Sequence, residues 1–464
     1  MSIAEEIEVD CMIGKDVAGK KISVIGGARS GIAVAKLLAS RGAHVFVSDN
    51  GPAEKVLPAL KELETAGIPY ETGTHSSRVI DADLIVLSPG VPSTVPVIRE
   101  AAGRGIPVLS ELEVASWFCT APMIAITGTN GKTTTTALIG RMLDDARKKN
   151  VVAGNIGNAF SNVVSTIDEY SLAVLEVSSF QLERIESFRP KIALLLNITP
   201  DHLDRYDGDM KKYVAAKCRV FEFQREGDVL IYNYDDPVTR DAVRTLPPGV
   251  KVLAFGLHRE YEDGAFVEKD TVTTTIGGLR SEIIPVSAVS IPGIHNLYNS
   301  MGATLAAMSA GVSIPSLRAT LRNFKGVEHR LEFVRTRNGI TYVNDSKATN
   351  VDSVWYALQA YKAPIIILLG GRDKGNDYAR LNDLVRRHVK AVVAIGESAQ
   401  KVVRAFTGIV PVTVADSMEA AVSQATASAQ PGDIVLLSPA CASFDWFQNY
   451  EHRGRVFKDI VNSM

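Results

Sequence analysis

The stretch at residues 123–140, MIAITGTNGKTTTTALIG, narrows the possible folds more than any other part of the chain. Its first four residues are apolar and strand-sized. Gly128, Thr129, Asn130 and Gly131 then make a turn, Lys132 and Thr133 follow at once, and the pattern beyond is helical. A strand, a glycine loop and a helix in that order cradle polyphosphate. The glycines let the backbone aim its N–H groups at phosphate oxygens. The lysine neutralises the terminal phosphates, the threonine hydroxyl serves Mg²⁺, and the positive end of the helix faces the same anion. The common motif has four residues between its glycines; this one is shorter, G-x-x-G-K-T. The rest of the chain is read for what that phosphate is used for.

At 464 residues the chain has room for about three domains. A net charge of -2 gives no reason to expect bulk binding to nucleic acid or to an anionic membrane. Cys11, Cys119, Cys218 and Cys441 are scattered without metal-ligand spacing, which argues against a disulfide framework and fits a reducing cytoplasm. The acidic start, MSIAEEIEVD, lacks a signal-peptide pattern. The longest apolar runs, residues 192–196 and 365–369, are strand-sized, so no membrane span is expected.

Residues 21–25 read as a strand that enters Gly26-Gly27-Ala28-Arg29-Ser30-Gly31, then a helix, then a second strand at 44–48 ending beside Asp49. This is a βαβ unit with a near-Rossmann loop, and Asp49 stands where a ribose-binding acid would. A strand at 83–87 ends in Ser88-Pro89-Gly90-Val91-Pro92, which fits a ligand-facing loop or an ordinary turn. In the middle region, Gly154-Asn155-Ile156-Gly157 is a second glycine turn. The strand at 171–177 carries Glu176 near its end, the usual place for a Mg²⁺ partner beside a phosphate loop. The next strand, 191–197, opens into Thr199-Pro200-Asp201-His202-Leu203-Asp204-Arg205-Tyr206, whose acids and histidine suit metal or catalytic work better than a plain solvated loop.

From composition alone Lys217, in a helix at 210–223, is a surface lysine. Residues 259–278 read as a small antiparallel excursion. Asn296 and Asn299 share a helix face, either to read a base or to cap the helix. In the last third, Glu328-His329-Arg330 precede an antiparallel pair at 331–336 and 340–343. Polar clusters then follow the carboxyl ends of strands repeatedly: Asn344 to Asn350, Gly370 to Lys374 and Ser438 to Ser443. Ligands bind outside those ends in open α/β sheets. The expected fold class is therefore α/β in three domains: a Rossmann-like N-terminal domain at 1–118, a central P-loop ATPase-like domain with a parallel sheet at 119–326, and a C-terminal Rossmann-like domain at 327–464.

Together, Gly128-Thr129-Asn130-Gly131-Lys132-Thr133-Thr134, Leu175-Glu176-Val177-Ser178-Ser179-Phe180-Gln181, Asn197-Ile198-Thr199-Pro200-Asp201-His202-Leu203-Asp204 and His295-Asn296-Leu297-Tyr298-Asn299 resemble the Mur ligases. These are the ATP-dependent ligases that build the peptide stem of bacterial peptidoglycan, and the short phosphate loop is the family's own form. Within the family, Asn344 to Asn350 and Ser438-Pro439-Ala440-Cys441-Ala442-Ser443 look like the branch that adds D-glutamate. The resemblance spans about residues 21–458. It implies a cytoplasmic, monomeric enzyme that joins D-glutamate to UDP-N-acetylmuramoyl-L-alanine through an acyl phosphate, with ATP and two Mg²⁺ ions.

Carried over position by position, the resemblance implies the following. Ala28, Arg29, Ser30, Asp49, Asn50, Gly90, Asn155, Ser178 and Gln181 would hold the UDP-substrate. Gly128 to Thr134, Asn296, Asn299, Arg330 and Asp345 would hold ATP. Thr133, Glu176, His202 and a carbamylated Lys217 would serve the metal, and this replaces the surface reading of Lys217. Lys347, Thr349, Lys374, Ser443, Phe444 and Tyr450 would surround D-glutamate. Lys132, His202, Lys217 and Asp345 are the catalytic candidates, with the base for the amine open between His202 and Asp345. Three rivals stand beside this reading: a nicotinamide oxidoreductase, which leaves the phosphate loop unexplained; a nucleotide-dependent switch or binding module; and a ligase of the same family with other amino-acid selectivity.

Overall fold

The computed structural model describes residues 16–52, 60–92, 94–373 and 375–464. They divide into two compact units, Met1–Val286 with Ser300–Thr320, and Ser287–Asn299 with Leu321–Met464.

The first unit holds two sheets. Five short strands form an all-parallel sheet in the order Tyr70–Thr72, His44–Asp49, Lys21–Ile25, Leu84–Leu87, Val108–Ser110. Near-continuous apolar runs such as LIVL suit strands covered on both faces. The chain reverses its direction of travel across the sheet at Lys21–Ile25, so its loop opens at a topological switch point.

The second sheet has nine strands, and Met123–Thr127, buried throughout, sits between Leu172–Glu176 and Ile192–Leu195. Both neighbours are parallel, which places the end of Glu176's strand and the start of the 196–199 loop beside the phosphate loop. The far edge carries the expected antiparallel excursion, Gly264–Glu268, Thr271–Ile276 and Leu279–Pro285. Its two-residue turns, Lys269-Asp270 and Gly277-Gly278, all have positive φ, the geometry that matches the twist of a hairpin. Two elements differ from the sequence reading. The helix expected at 210–223 ends at Cys218 and tightens into a 3-10 turn, Arg219–Phe221, and the alanine-rich segment that reads as a helix over 301–311 belongs to a helix, Ile294–Ser309, that also includes both asparagines.

Within this unit the two sheets share one core. Leu37, Leu112 and Ala115 from the first pack in the same cluster as Phe160, Val164, Leu182 and Phe188 from the second. Two buried carboxylates reinforce the seam. Glu111 accepts from the amide and hydroxyl of Ser161 at 2.8 and 2.6 Å. Glu113 accepts from three successive amides, Glu186, Ser187 and Phe188, at 3.1, 3.1 and 2.8 Å, and also from the Ser187 hydroxyl and from Trp117 Nε1.

The second unit is a six-stranded sheet in the order Glu332–Arg337, Ile340–Asn344, Ile434–Leu437, Ile365–Gly370, Val389–Ile395, Val412–Val414. Only the first pair is antiparallel. Asn344 and Leu437 are in register, so Asp345 and Ser438 leave adjacent strands side by side.

Candidate active site

The phosphate loop is held open by its glycines and pinned from outside. Gly131 is left-handed, with φ +86°, and caps the helix Lys132–Asp145. Gly128 lies so close to the next strand that a Cβ there would meet the Cβ of Leu196 at 3.0 Å. Asn197 braces the loop with a reciprocal pair, accepting from Asn130 N–H at 2.8 Å and donating to its carbonyl at 3.0 Å. The Thr129 hydroxyl donates to the Thr199 carbonyl at 3.0 Å, accepts from the Thr199 amide and shares a hydrogen bond with Tyr213. Asn197 and Tyr213 were not singled out from sequence as site residues; the adjacency of the two strands supplies the role.

Two lysines converge on one carbonyl. Lys132 Nζ donates to Gly128 O and Thr129 O at 2.8 Å each, and Lys217 Nζ donates to the same Gly128 O at 2.8 Å. Composition put Lys217 on the surface, yet it is 2% exposed and lies 4.7 Å from the centre of the Tyr213 ring. Burial, aided by the charge of Lys132, holds its ammonium well below the ordinary lysine range; Asp201 and Glu176 pull weakly the other way. Glu176 is buried at its strand end and accepts from Asn155 Nδ2 at 2.9 Å. The turn behind it needs glycine, since a Cβ on Gly154 would meet the Glu176 carbonyl at 2.3 Å. Thr133 and Thr134 are buried in the first helical turn. His202 is left-handed, exposed, edge-on to Phe180 with ring centres 5.1 Å apart, and 3.7 Å from Asp201.

On the first sheet, Asp49 shapes the loop it faces, accepting from Gly27 N–H at 2.6 Å and Gly51 N–H at 2.7 Å. Ala28, Arg29, Asn50 and Gly90 are exposed and Ser30 half-buried. Arg29 reaches the middle region, donating to the Gly157 carbonyl at 2.7 Å. Ser178 and Gln181 form a capping box on a short helix, which occupies Gln181 Oε1.

In the second unit, Asn299 Nδ2 donates to Asn296 Oδ1 at 3.2 Å and Asn296 Nδ2 to Pro292 O at 2.7 Å. His295 beside them is buried with no partner for Nδ1, and burial together with the Arg330 charge pushes it down to about 4. Asp345 is buried, accepting from the Ser438 hydroxyl at 2.8 Å and the Leu331 amide at 3.2 Å. Burial raises it to about 6, against the opposing pull of Arg330 and those two bonds. Lys347 Nζ lies 5.3 Å from the centre of the Tyr450 ring. Thr349 is half-buried, Ser443 is 2% exposed and Phe444 is 60% exposed. Lys374 lies outside the described residues.

Sequence reasoning missed Arg453, which is buried and donates to Ser346 and Cys441. Its only sequence mark is an arginine one turn inside the last helix. Among the described residues, Glu328, His329 and Glu332 bring metal-capable atoms within 4.8 Å, but Lys458 already bonds both carboxylates there. None of those three was expected to bind metal.

A loop that presents a helix N-terminus and two lysines to one point is built for phosphate, and it sits in a chain with two further nucleotide-type sheets. Three family models match in sequence: a Mur ligase MurD-like N-terminal domain at residues 20–110, a Mur ligase middle domain at 126–307, and a Mur ligase glutamate ligase domain at 329–441. The chain belongs to the Mur ligase family. More particularly, it is similar to a UDP-N-acetylmuramoylalanine–D-glutamate ligase of Salinibacter ruber, 46% identical over 98% of this chain and all of the relative. It is likewise 48% identical to the same-named enzyme of Chlorobaculum parvum, over 96% of this chain and 98% of that one. Among solved structures, UDP-N-acetylmuramate-alanine ligase MurC of Thermotoga maritima aligns with a TM-score of 0.61 at 20% identity, covering 96% of this chain and 99% of that one. MurF of Acinetobacter baumannii aligns at 0.59 and 16%, covering 97% and 92%. At those identities the structures speak for the fold alone.

Proposed function

We propose that this chain joins D-glutamate to UDP-N-acetylmuramoyl-L-alanine in an ATP-dependent amide ligation that supplies peptidoglycan precursor. The full-length similarity to enzymes of that name supports the reaction. The observation that carries the mechanism is the convergence of Lys132 and Lys217 on the Gly128 carbonyl at a helix N-terminus.

A carboxylate does not accept an amine directly, because oxide is a poor leaving group. Transfer of the ATP γ-phosphoryl group to the L-alanyl carboxylate gives an acyl phosphate and ADP. The D-glutamate amine then adds to that carbonyl, and the tetrahedral intermediate expels phosphate. The chemistry is mostly positioning and charge compensation. Lys132, once its carbonyl partners are exchanged for phosphate oxygens, offsets the repulsion between two anions. The loop amides that Asn197 braces stay aimed at the phosphates.

Lys217 is suited to carbamylation. Burial disfavours the charged form of this lysine, and the neutral amine has a lone pair that can add to CO₂, giving an N-carboxylate and releasing one proton. That converts the residue into an anion beside Glu176. Mg²⁺, when bound, would be held by Thr133, Glu176, His202 and the carbamate, and would neutralise phosphate charge. Ala28, Arg29, Ser30, Asp49, Asn50, Gly90, Asn155, Ser178 and Gln181 would take the UDP-substrate. Asn296, Asn299 and Arg330 would take ATP, and Lys347, Thr349, Ser443 and Tyr450 the amino acid. The attacking ammonium must lose a proton. Asp345, raised towards neutrality, and His202 are the two groups chemically able to take it. We take the enzyme to be a cytoplasmic monomer; among the described residues no helix is long and apolar enough to cross a membrane.

The test is phosphate release from ATP with UDP-N-acetylmuramoyl-L-alanine against a panel of D- and L-amino acids. D-Glutamate alone should give stoichiometric phosphate and amide. A different preferred amino acid would reassign the chain within the family, and phosphate without amide would leave it a hydrolase or a switch.

A further inference from the structure

The loops after Ile340–Asn344 and Ile434–Leu437 are tied together by one side chain on the last helix, Tyr450–Ser463. Arg453 Nε donates to the Ser346 hydroxyl at 2.9 Å, and Nη2 donates to the Ser346 carbonyl at 2.8 Å and the Cys441 carbonyl at 3.1 Å. Nη1 donates to the Cys441 carbonyl at 3.1 Å and the Ala442 carbonyl at 3.4 Å. The Ser346 hydroxyl in turn donates to the Tyr450 carbonyl at 2.9 Å. The guanidinium therefore grips Ser346, Cys441 and Ala442, the neighbours of Lys347 and Ser443, and stands one helical turn from Tyr450.

The hydrogen bonds are satisfied by neutral groups. Arg453 is 1% exposed, and among the described residues every hydrogen-bond partner is a carbonyl or a hydroxyl. Asp445 and Asp345 favour its charged form electrostatically without bonding it. A buried guanidinium keeps its proton, and burying a charge without an ion partner costs several kcal/mol. Carbonyl dipoles meet the donors, and the guanidinium keeps a positive field behind the two loops. Lys347, on the Tyr450 ring, adds to the same field. A compact dicarboxylate with one ammonium, net -1 at neutral pH, is the ligand chemistry that balances it.

We propose that Arg453 is a positioning residue that sets the preference for an acidic amino acid, by fixing the Ser346 and Cys441–Ser443 loops in one geometry and by supplying a positive charge behind them. This deepens the ligase reading and rests on it for the identity of the site. The chemistry selects charge rather than chain length: D-glutamate and its close acidic homologues gain from the field, whereas the side-chain amide does not.

The experiment compares the wild type with Arg453→Lys and Arg453→Met, using steady-state phosphate release and calorimetric titration with D-glutamate. Arg453→Met should raise KM for D-glutamate by at least about tenfold, while KM for ATP and for the UDP-substrate stay within about twofold. Arg453→Lys, which keeps the charge and loses the fork, should fall between. Preference for D-glutamate over D-glutamine should narrow in the same order. If all three KM values move together with kcat, or none moves, Arg453 is a structural residue and the proposal fails. If Arg453→Met does not fold, the selectivity ratio of Arg453→Lys decides, and an unchanged ratio overturns the idea. A wild type that prefers a neutral or basic amino acid overturns it as well. Should the wild type show no ligation, the titration separates the two readings: D-glutamate binding that the variants weaken supports the role of Arg453 while the ligase reading falls, and no binding to the wild type ends both.

Discussion

Lys217 in the first unit and Arg453 in the second are both buried basic side chains with, among the described residues, no carboxylate among their hydrogen-bond partners, and they resolve that state in opposite ways. Lys217 has a single carbonyl acceptor and the face of a tyrosine, and its surroundings favour loss of the proton. Arg453 has five hydrogen bonds to two loops. Although burial lowers it to about 10, it stays charged at neutral pH. A lysine in that position is a reagent, able to become a neutral nucleophile or a carbamate. An arginine is a fixture, holding both charge and geometry. On the proposed reading, the first unit uses a buried basic group for chemistry, and the second uses one for selection.

The sharpest way to break this contrast is at the phosphate loop. Lys132→Ala should lower phosphate release by about 10³-fold or more, with UDP-substrate binding by calorimetry largely intact. Near-normal turnover would remove the loop from the reaction. Lys217→Ala should be almost as damaging, by about 10²-fold to 10³-fold, and short carboxylates in the buffer should restore part of the rate. Full activity, or no rescue by any small carboxylate, would make Lys217 a structural cation like Arg453.

A smaller effect separates two titrating groups of the second unit. Asp345, raised to about 6 by burial, holds a proton that the unfolded chain has already released, so its contribution to stability falls as pH rises from about 4 to about 6. His295, lowered to about 4, is neutral where the unfolded chain is protonated, so its contribution rises across nearly the same window, up to about 6.5. Each spans roughly 3 kcal/mol, and in the wild type they offset one another. Denaturant titrations of Asp345→Asn should show stability rising more steeply with pH there than in the wild type, and His295→Gln should show the reverse. Identical profiles for both variants would mean that neither group is buried as described. The smallest expected change is at Asn197→Ala, which removes the reciprocal pair to Asn130. It should cost about 1–2 kcal/mol and raise KM for ATP more than KM for the UDP-substrate. Equal changes in both would place the brace elsewhere.

Most of the fold could be read from the chain because its strands are short apolar runs ended by glycine, and because the phosphate loop fixes the order of strand, turn and helix. The loop residues proposed to meet phosphate, such as Lys132, belong to one contiguous motif and were legible for that reason. The braces were not. Asn197 lies 67 residues from Asn130 and Ser346 lies 107 from Arg453, and only strand order brings each pair together. Lys217 was misread because a lysine was taken as a surface residue by its type, although Tyr213, Val220 and Phe221, on its own helix face, are apolar and buried. The alanine-rich helix was placed late because its alanines begin only after Met301, while the helix itself starts at Ile294, directly after Pro292-Gly293.

The three successive amides that Glu113 holds bear on how this protein could be cut or recombined. A fragment ending at residue 118 would carry a carboxylate stripped of its donors, and the remaining chain would carry three amides stripped of their acceptor, together with an apolar face missing Leu112 and Ala115. Neither piece would be a self-sufficient module. A chimera joining the first region of one such enzyme to the remainder of another should therefore keep its solubility only when the acid and the loop that receives it are exchanged as a matched set.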